Sequence, residues 1–352
     1  MFSSSVRSIL IAFVLATVAA AATPALSVNL AGPRSVTGVE NLKVVATITN
    51  TGDETLKILN DPRSLLSKRP VNKFSITDGR GARPAFTGVK VKYSPESAAK
   101  MGAFTVLEPG AFIDVTHDLS EGYNFTSPGA GTYDFEADRT FYIVKDNNEI
   151  GVVHADAAEA AYTAEVVGNL AVARRDESSS GLSKRATFVS CTAARQTLIN
   201  AAAASAETYA ANAYAYINSH TTGTTRFNTW FGTLTSARRA TVLSHFKAID
   251  GNTFSSFTYD CSCTDSSYAY VYPSQFGKVY FCGAYWNAPN TGTDSKAGTI
   301  IHEASHFTAN GGTNDYAYGH SAAKSLAINN PANAVMNADS HEYFAEINPA
   351  LA

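Results

Sequence analysis

The sequence predicts an α+β chain of two unlike parts, a β-rich N-terminal half of the sandwich type and a mainly helical C-terminal half with a small sheet. Apolar residues alternate in short runs up to about residue 170 and then switch to helical spacing. All four cysteines, Cys191, Cys261, Cys263 and Cys282, fall after that switch, and a polar, charged stretch separates the two patterns. At 352 residues the chain has material for two cores.

The first segment, MFSSSVRSILIAFVLATVAAAATPALS, carries a basic Arg7, an apolar run from Ile9 to Val18 and small residues from Ala19 to Ala22. That pattern is a secretory signal peptide over 1–22, since the run is much shorter than the roughly 20 residues that span a bilayer. An exported, extracellular protein is expected, with no membrane anchor.

Over 23–170 the alternating runs are Leu42–Thr49, Thr55–Leu59, Lys73–Thr77, Val89–Tyr93, Phe104–Leu107, Phe112–Leu119, Thr132–Ala137 and Thr140–Val144. Gly, Pro, Asn and Asp punctuate them, as expected of an all-β, immunoglobulin-like sandwich. Asn124-Phe125-Thr126 is an N-glycosylation sequon, in keeping with export. Residues 171–185 form the linker, with dibasic pairs at Arg174-Arg175 and Lys184-Arg185. A dibasic-specific protease cutting after Lys184 and Arg185 would release the remainder, 186–352.

That remainder reads as a helix over Thr192–Ile217, another over Arg226–Ile249, and a hairpin of Tyr268–Tyr272 with Lys278–Phe281. A motif helix follows, and helices over Ser321–Ile328 and Ser340–Ile347 close the chain. The even number of cysteines in an exported chain suggests two disulfides. A bridge between Cys261 and Cys263 would be strained, which leaves two possible pairings.

His302-Glu303-Ala304-Ser305-His306 spells H-E-x-x-H. On a helix, positions i and i+4 share a face, so both imidazoles can ligate one Zn²⁺ while Glu303 stays free to take a proton from water. Asp294-Ser295 is the start signal of this helix and Gly311-Gly312 its stop. Ile300, Ala304 and Phe307 form an apolar stripe, so packing is expected on one flank and metal-competent groups on the other. The metzincin continuation fails, because Ala309 and Gly312 stand where glycine and histidine are required. The glycines permit a reversal that could bring Asp315 back as third ligand and Tyr318 as a hydroxyl donor to a developing oxyanion. Spacing favours Asp315 but leaves His320, His341 and Glu342 open. Asp339 and Glu342 are spaced like a capping box at the start of the last helix.

H-E-A-S-H followed by G-T-N-D-Y-A-Y-G resembles the signature of the aspzincins, the deuterolysin family of secreted zinc endopeptidases. AYVYPSQFGKVYFCGAYWNAP, TGTDSKAGTIIHEASHFT and NADSHEYFAEINP resemble its fungal peptidyl-Lys metalloendopeptidase branch, and the likeness spans 187–352. The resemblance implies a zincin-type metallopeptidase domain made as a precursor behind a propeptide. It implies one Zn²⁺ on His302, His306 and Asp315, with Glu303 as general base and acid and Tyr318 stabilising the transition state. It also implies disulfides Cys191–Cys261 and Cys263–Cys282, and use of Asp339 and Glu342 to bind a substrate lysine just after the cleaved bond. Two carboxylates in a partly closed pocket suit a slender, point-charged ammonium.

A net charge of −3 with 16% charged residues argues against a nucleic-acid or polybasic membrane partner. Expected partners are protein and peptide substrates and the processing protease, and a monomer is expected. Two rival readings stand beside the lysine-specific enzyme. One is a deuterolysin-like endopeptidase of broader specificity, the other an exported zinc-binding module without catalysis.

Overall fold

The computed structural model describes residues 24–158, 161–171, 185–347 and 350–351. The expected signal peptide and most of the linker, Lys184 included, lie outside these residues; Arg185 is exposed. Among the described residues no helix is long and apolar enough to cross a membrane.

The N-terminal half is built from three four-stranded sheets and one two-stranded ribbon. One sheet runs Asp156–Ala157, Leu26–Ala31, Lys43–Asn50, Phe112–Asp118, and a second runs Ser35–Thr37, Tyr162–Val167, Gly131–Ala137, Phe74–Asp78. Ile150–His154, Thr140–Val144, Leu56–Leu59 and Phe104–Leu107 make the third. Strict alternation places Val44, Ala46 and Ile48 of the longest strand inward, where they meet Phe125, Phe135, Phe141 and Val166 in one core. The half is not purely β: Ser94 caps a short helix, Pro95–Lys100, by accepting a hydrogen bond from the Ser97 amide.

In the C-terminal half, Thr192 caps a long helix, Ala193–Ser219. Its buried stripe of Ala202, Ala206, Ala210 and Ala213 lets a second helix, Lys296–His306, approach closely. The expected single helix over Arg226–Ile249 is instead two, Thr225–Phe231 and Ser236–Asp250. The break lies at Gly232, whose φ is +76°, and a Cβ there would lie 2.5 Å from the Ala327 carbonyl oxygen. Helices Gly319–Asn329 and Ala338–Glu346 complete the domain, joined by a short turn of helix at Pro331–Ala334.

The C-terminal sheet has the order Thr187–Val189, Thr258–Asp260, Lys278–Phe281, Ala269–Val271. Its first three strands are parallel and Ala269–Val271 runs antiparallel at the edge. Disulfides join Cys191 to Cys261 (Cα–Cα 5.1 Å) and Cys263 to Cys282 (4.7 Å), tying the strand ends together.

A fifth strand lies on that edge, and it comes from the other half. The run Val89–Tyr93, expected within the sandwich, forms Lys90–Lys92 and pairs antiparallel with Ala269–Val271. Periodicity gives a strand but not its partner, so only the fold reveals that this one has left its own domain.

Candidate active site

Ser295 caps the helix Lys296–His306 by accepting from the Gly298 amide. Every residue of this helix is buried, so it is not two-sided as its stripe suggests. Its polar face is covered by the loop after Gly312, the helix Ala338–Glu346 and the strand Lys90–Lys92.

Gly312, with φ +56°, turns the chain back, and the Asn314–Tyr316 stretch then passes over the histidines. Asn337 accepts from the Tyr316 and Ala317 amides and so pins this loop to the last helix. Asp315 Oδ1 thereby comes 3.2 Å from His302 Nε2 and 3.1 Å from His306 Nε2. The other candidates for third ligand are placed elsewhere. His341 packs against His245, Phe231 and Phe246, and His320 lies against Trp230 and Tyr343. Glu342 reaches the opposite side of His302, 3.3 Å from Nδ1.

The rings are oriented from behind. His306 Nδ1–H donates to the Thr313 carbonyl at 3.0 Å, and His302 Nδ1 lies 2.8 Å from Asp339 Oδ1. Both Nε2 atoms therefore face Asp315. These atoms are buried, and His302 Nε2, His306 Nε2 and Asp315 Oδ1 lack hydrogen-bond partners. Such convergence is costly unless a cation satisfies it, and two imidazoles with a carboxylate suit Zn²⁺. Burial pushes the Asp315 carboxyl up, but His306 and His302 outweigh it and hold it well below its ordinary range.

Glu303 sits beside this cluster, fully buried, with both oxygens unpartnered. Burial, with Asp315 adding to it, pushes its carboxyl up to about 8 against the pull of His302 and Lys92. Tyr318 donates its hydroxyl to the Val91 carbonyl at 2.7 Å, and the guanidinium of Arg63 lies 4.2 Å from its ring centre.

Asp339 and Glu342 do not form a capping box. The N-cap of Ala338–Glu346 is Asn337, and Asp339 instead accepts from the Gly319 amide at 2.6 Å and faces His302. Glu342 Oε2 lies 2.6 Å from Lys92 Nζ, Asp294 Oδ1 3.0 Å and Asp339 Oδ1 4.0 Å. Burial would lower the Lys92 ammonium, but Glu342, Asp294 and Asp339 together hold it well above its ordinary value.

Sequence reasoning missed Asp294, hidden as part of a helix-start signal, and Glu346, one further turn along the last helix. Glu346 accepts from the Asp294 and Ser295 amides and the Ser295 hydroxyl, which fixes the corner that presents Asp294. Gly298 makes room for this group, since a Cβ there would lie 2.1 Å from Glu346 Oε1. The spacing of Asp339, Glu342 and Glu346 on one helix face was the available signal.

A buried H-E-x-x-H helix, a returning aspartate and a free glutamate are the parts of a zinc metalloendopeptidase. Comparison with known proteins agrees. A family model, aspzincin, described as lysine-specific metallo-endopeptidase, matches residues 216–346. The peptidyl-Lys metalloendopeptidase of Grifola frondosa is 52% identical over 348 residues, covering 97% of this chain and 99% of its own. That of Pleurotus ostreatus is 66% identical over 168 residues, 47% of this chain and 100% of its own. A solved structure described as a zinc peptidase from Grifola frondosa is 55% identical and covers 46% of this chain and 100% of its own, with TM-score 0.46. The chain belongs to the aspzincin family of metalloendopeptidases, and its substrates are proteins or peptides.

Proposed function

We propose that this chain is the secreted precursor of an endopeptidase that cuts on the N-terminal side of lysine, using one zinc ion held by His302, His306 and Asp315. The reading rests on one observation: a lysine ammonium lies against Glu342 and Asp294, with Asp339 behind, in a pocket whose Glu342 lies 3.3 Å from His302 of the histidine–aspartate cluster. When bound there, zinc supplies a Lewis acid for the substrate carbonyl and lowers the pKa of water.

The chain's own residues do the rest. Glu303 accepts a proton from the attacking water and passes it to the departing amine. The Tyr318 hydroxyl donates to the carbonyl oxygen as negative charge gathers on it. Thr313 and Asp339 keep the two rings turned, and Glu342 and Asp294 anchor the lysine so that the bond before it meets Glu303.

The names of the relatives, peptidyl-Lys metalloendopeptidase in Grifola and Pleurotus, support the specificity. The Pleurotus relative is matched over its whole length by about half of this chain, which supports processing of the precursor after Lys184-Arg185. We read the residues before the linker as an immunoglobulin-like propeptide, removed to leave 186–352 as a monomeric enzyme.

The test is digestion of one denatured protein by the processed enzyme, with mass spectrometry of the new termini. Nearly every new N-terminus should be lysine. Cleavage spread over many residue types would favour the broader, deuterolysin-like reading, and no cleavage a non-catalytic zinc module.

A further inference from the structure

Lys92 belongs to the N-terminal half, yet its side chain is only 3% exposed and fills the carboxylate pocket of the C-terminal half. Its neighbours continue the fit along the backbone. Lys90, Val91 and Lys92 pair with Val271, Tyr270 and Ala269 of the edge strand of the C-terminal sheet, and the Tyr268 amide donates to the Lys92 carbonyl at 2.9 Å. Adding a strand to a free edge is a general way of gripping an extended peptide.

The peptide bond between Val91 and Lys92 lies at the centre of this grip. Its carbonyl oxygen accepts from Tyr318, and the Val91 amide donates to Asp315 Oδ2 at 3.3 Å. Val91 is thus held at the hydroxyl donor and at Asp315, and the lysine that follows its carbonyl fills the pocket.

We propose that residues 90–92 are a built-in substrate mimic: the N-terminal half closes the enzyme by threading Val91–Lys92 through the cleft in the register of a bond to be cut. This deepens the lysine-specific reading and rests on it for the identity of the pocket.

The clasp is reinforced on both sides. Lys90 Nζ donates to Asn314 at 2.6 Å, Ser97 hydrogen-bonds Tyr268 at 3.0 Å, and Arg69 pairs with Asp265 while lying 3.9 Å from the Tyr270 ring centre. Val89, Val91 and Tyr93 are buried with Leu59, Val71 and Ala98 in a small core that bridges the halves and includes Tyr272. If water adds to the Val91 carbonyl carbon and the C–N bond breaks, the products are a Val91 carboxylate and a Lys92 amine. Both stay anchored by these contacts, so a cut clasp leaves slowly. Being on the same chain, it also competes with any free peptide at high effective concentration.

The test uses the full chain loaded with zinc and carrying Glu303→Gln to stop turnover, with and without Lys92→Ala. The probe is a fluorescein-labelled peptide with one internal lysine, read by anisotropy beside a twin with norleucine in its place. The Lys92→Ala form should bind the lysine peptide at least about ten-fold more tightly, because the competing ammonium is gone. Equal binding by the two forms would overturn the mimic. A ten-fold gain that is the same for both peptides would support the mimic while overturning the lysine reading of the pocket. Lys92→Met, which keeps the aliphatic stem, replaces Lys92→Ala if that form does not fold.

Discussion

Glu303→Gln in the processed enzyme should lower kcat/KM by about 10³-fold or more while zinc content is unchanged, since a positioned general acid–base contributes up to about 10⁴. Glutamine fills the same space but takes up no proton, and Glu303 makes no hydrogen bond whose loss would disturb the fold. The substitution also has a stability signature in the metal-free full-length chain. Burial raises the folded carboxyl from 4.5 to about 8, so the folded state binds more protons than the unfolded one between these values. Stability contributed by the protonated glutamate is present below pH 4.5 and lost as pH rises towards 8. Glutamine removes that loss. Metal-free Glu303→Gln should therefore gain in Tm relative to the parent as pH rises through this window, as calorimetry at several pH values would record. Retention of more than about a tenth of the parent kcat/KM would refute the proton-carrying role.

Glu342→Gln should reduce the preference for lysine over norleucine after the scissile bond by about 100-fold, with zinc retained. Removing one partner of a buried, hydrogen-bonded charge pair has effects of this order. Asp339 is a less clean probe, because its Oδ1 approaches His302 Nδ1 to 2.8 Å, nearer than Glu342 Oε2 at 3.3 Å. Asp339→Asn should weaken zinc binding about 10- to 100-fold, as changes behind a metal ligand do. Comparing kcat/KM for paired peptides with zinc content separates the two carboxylates. An unchanged lysine preference in Glu342→Gln would remove Glu342 from the pocket.

What the sequence revealed of this site follows from the range of the interactions. The motif helix was legible because its signals are local: Ser295 caps it, and His302 and His306 are one turn apart. Asp315 was only favoured by spacing, since its return depends on the turn at Gly312 and on Asn337, which is distant in sequence. For Asp339 and Glu342, spacing alone suggested helix capping, whereas their side chains reach across to another helix. Such a direction is set by packing and not by periodicity. The switch from β to helical grammar reappears in the element order, with strands dominating before the linker and helices after it, yet the helix break at Gly232 rests on the neighbouring Ala327 and Pro331. Strand Lys90–Lys92 is the extreme case. Its alternation would look the same in either sheet, and only the pairing with Ala269–Val271 places it in the cleft.

The most direct measurement is zinc content against hydrolysis in the processed enzyme and its Asp315→Asn form. One zinc per chain should be found in the parent. Chelation should remove metal and hydrolysis together, stoichiometric zinc should restore both, and Asp315→Asn should retain little of either. Full hydrolysis without metal, or an Asp315→Asn form that keeps its zinc and its rate, would contradict a site made of two imidazoles and this carboxylate.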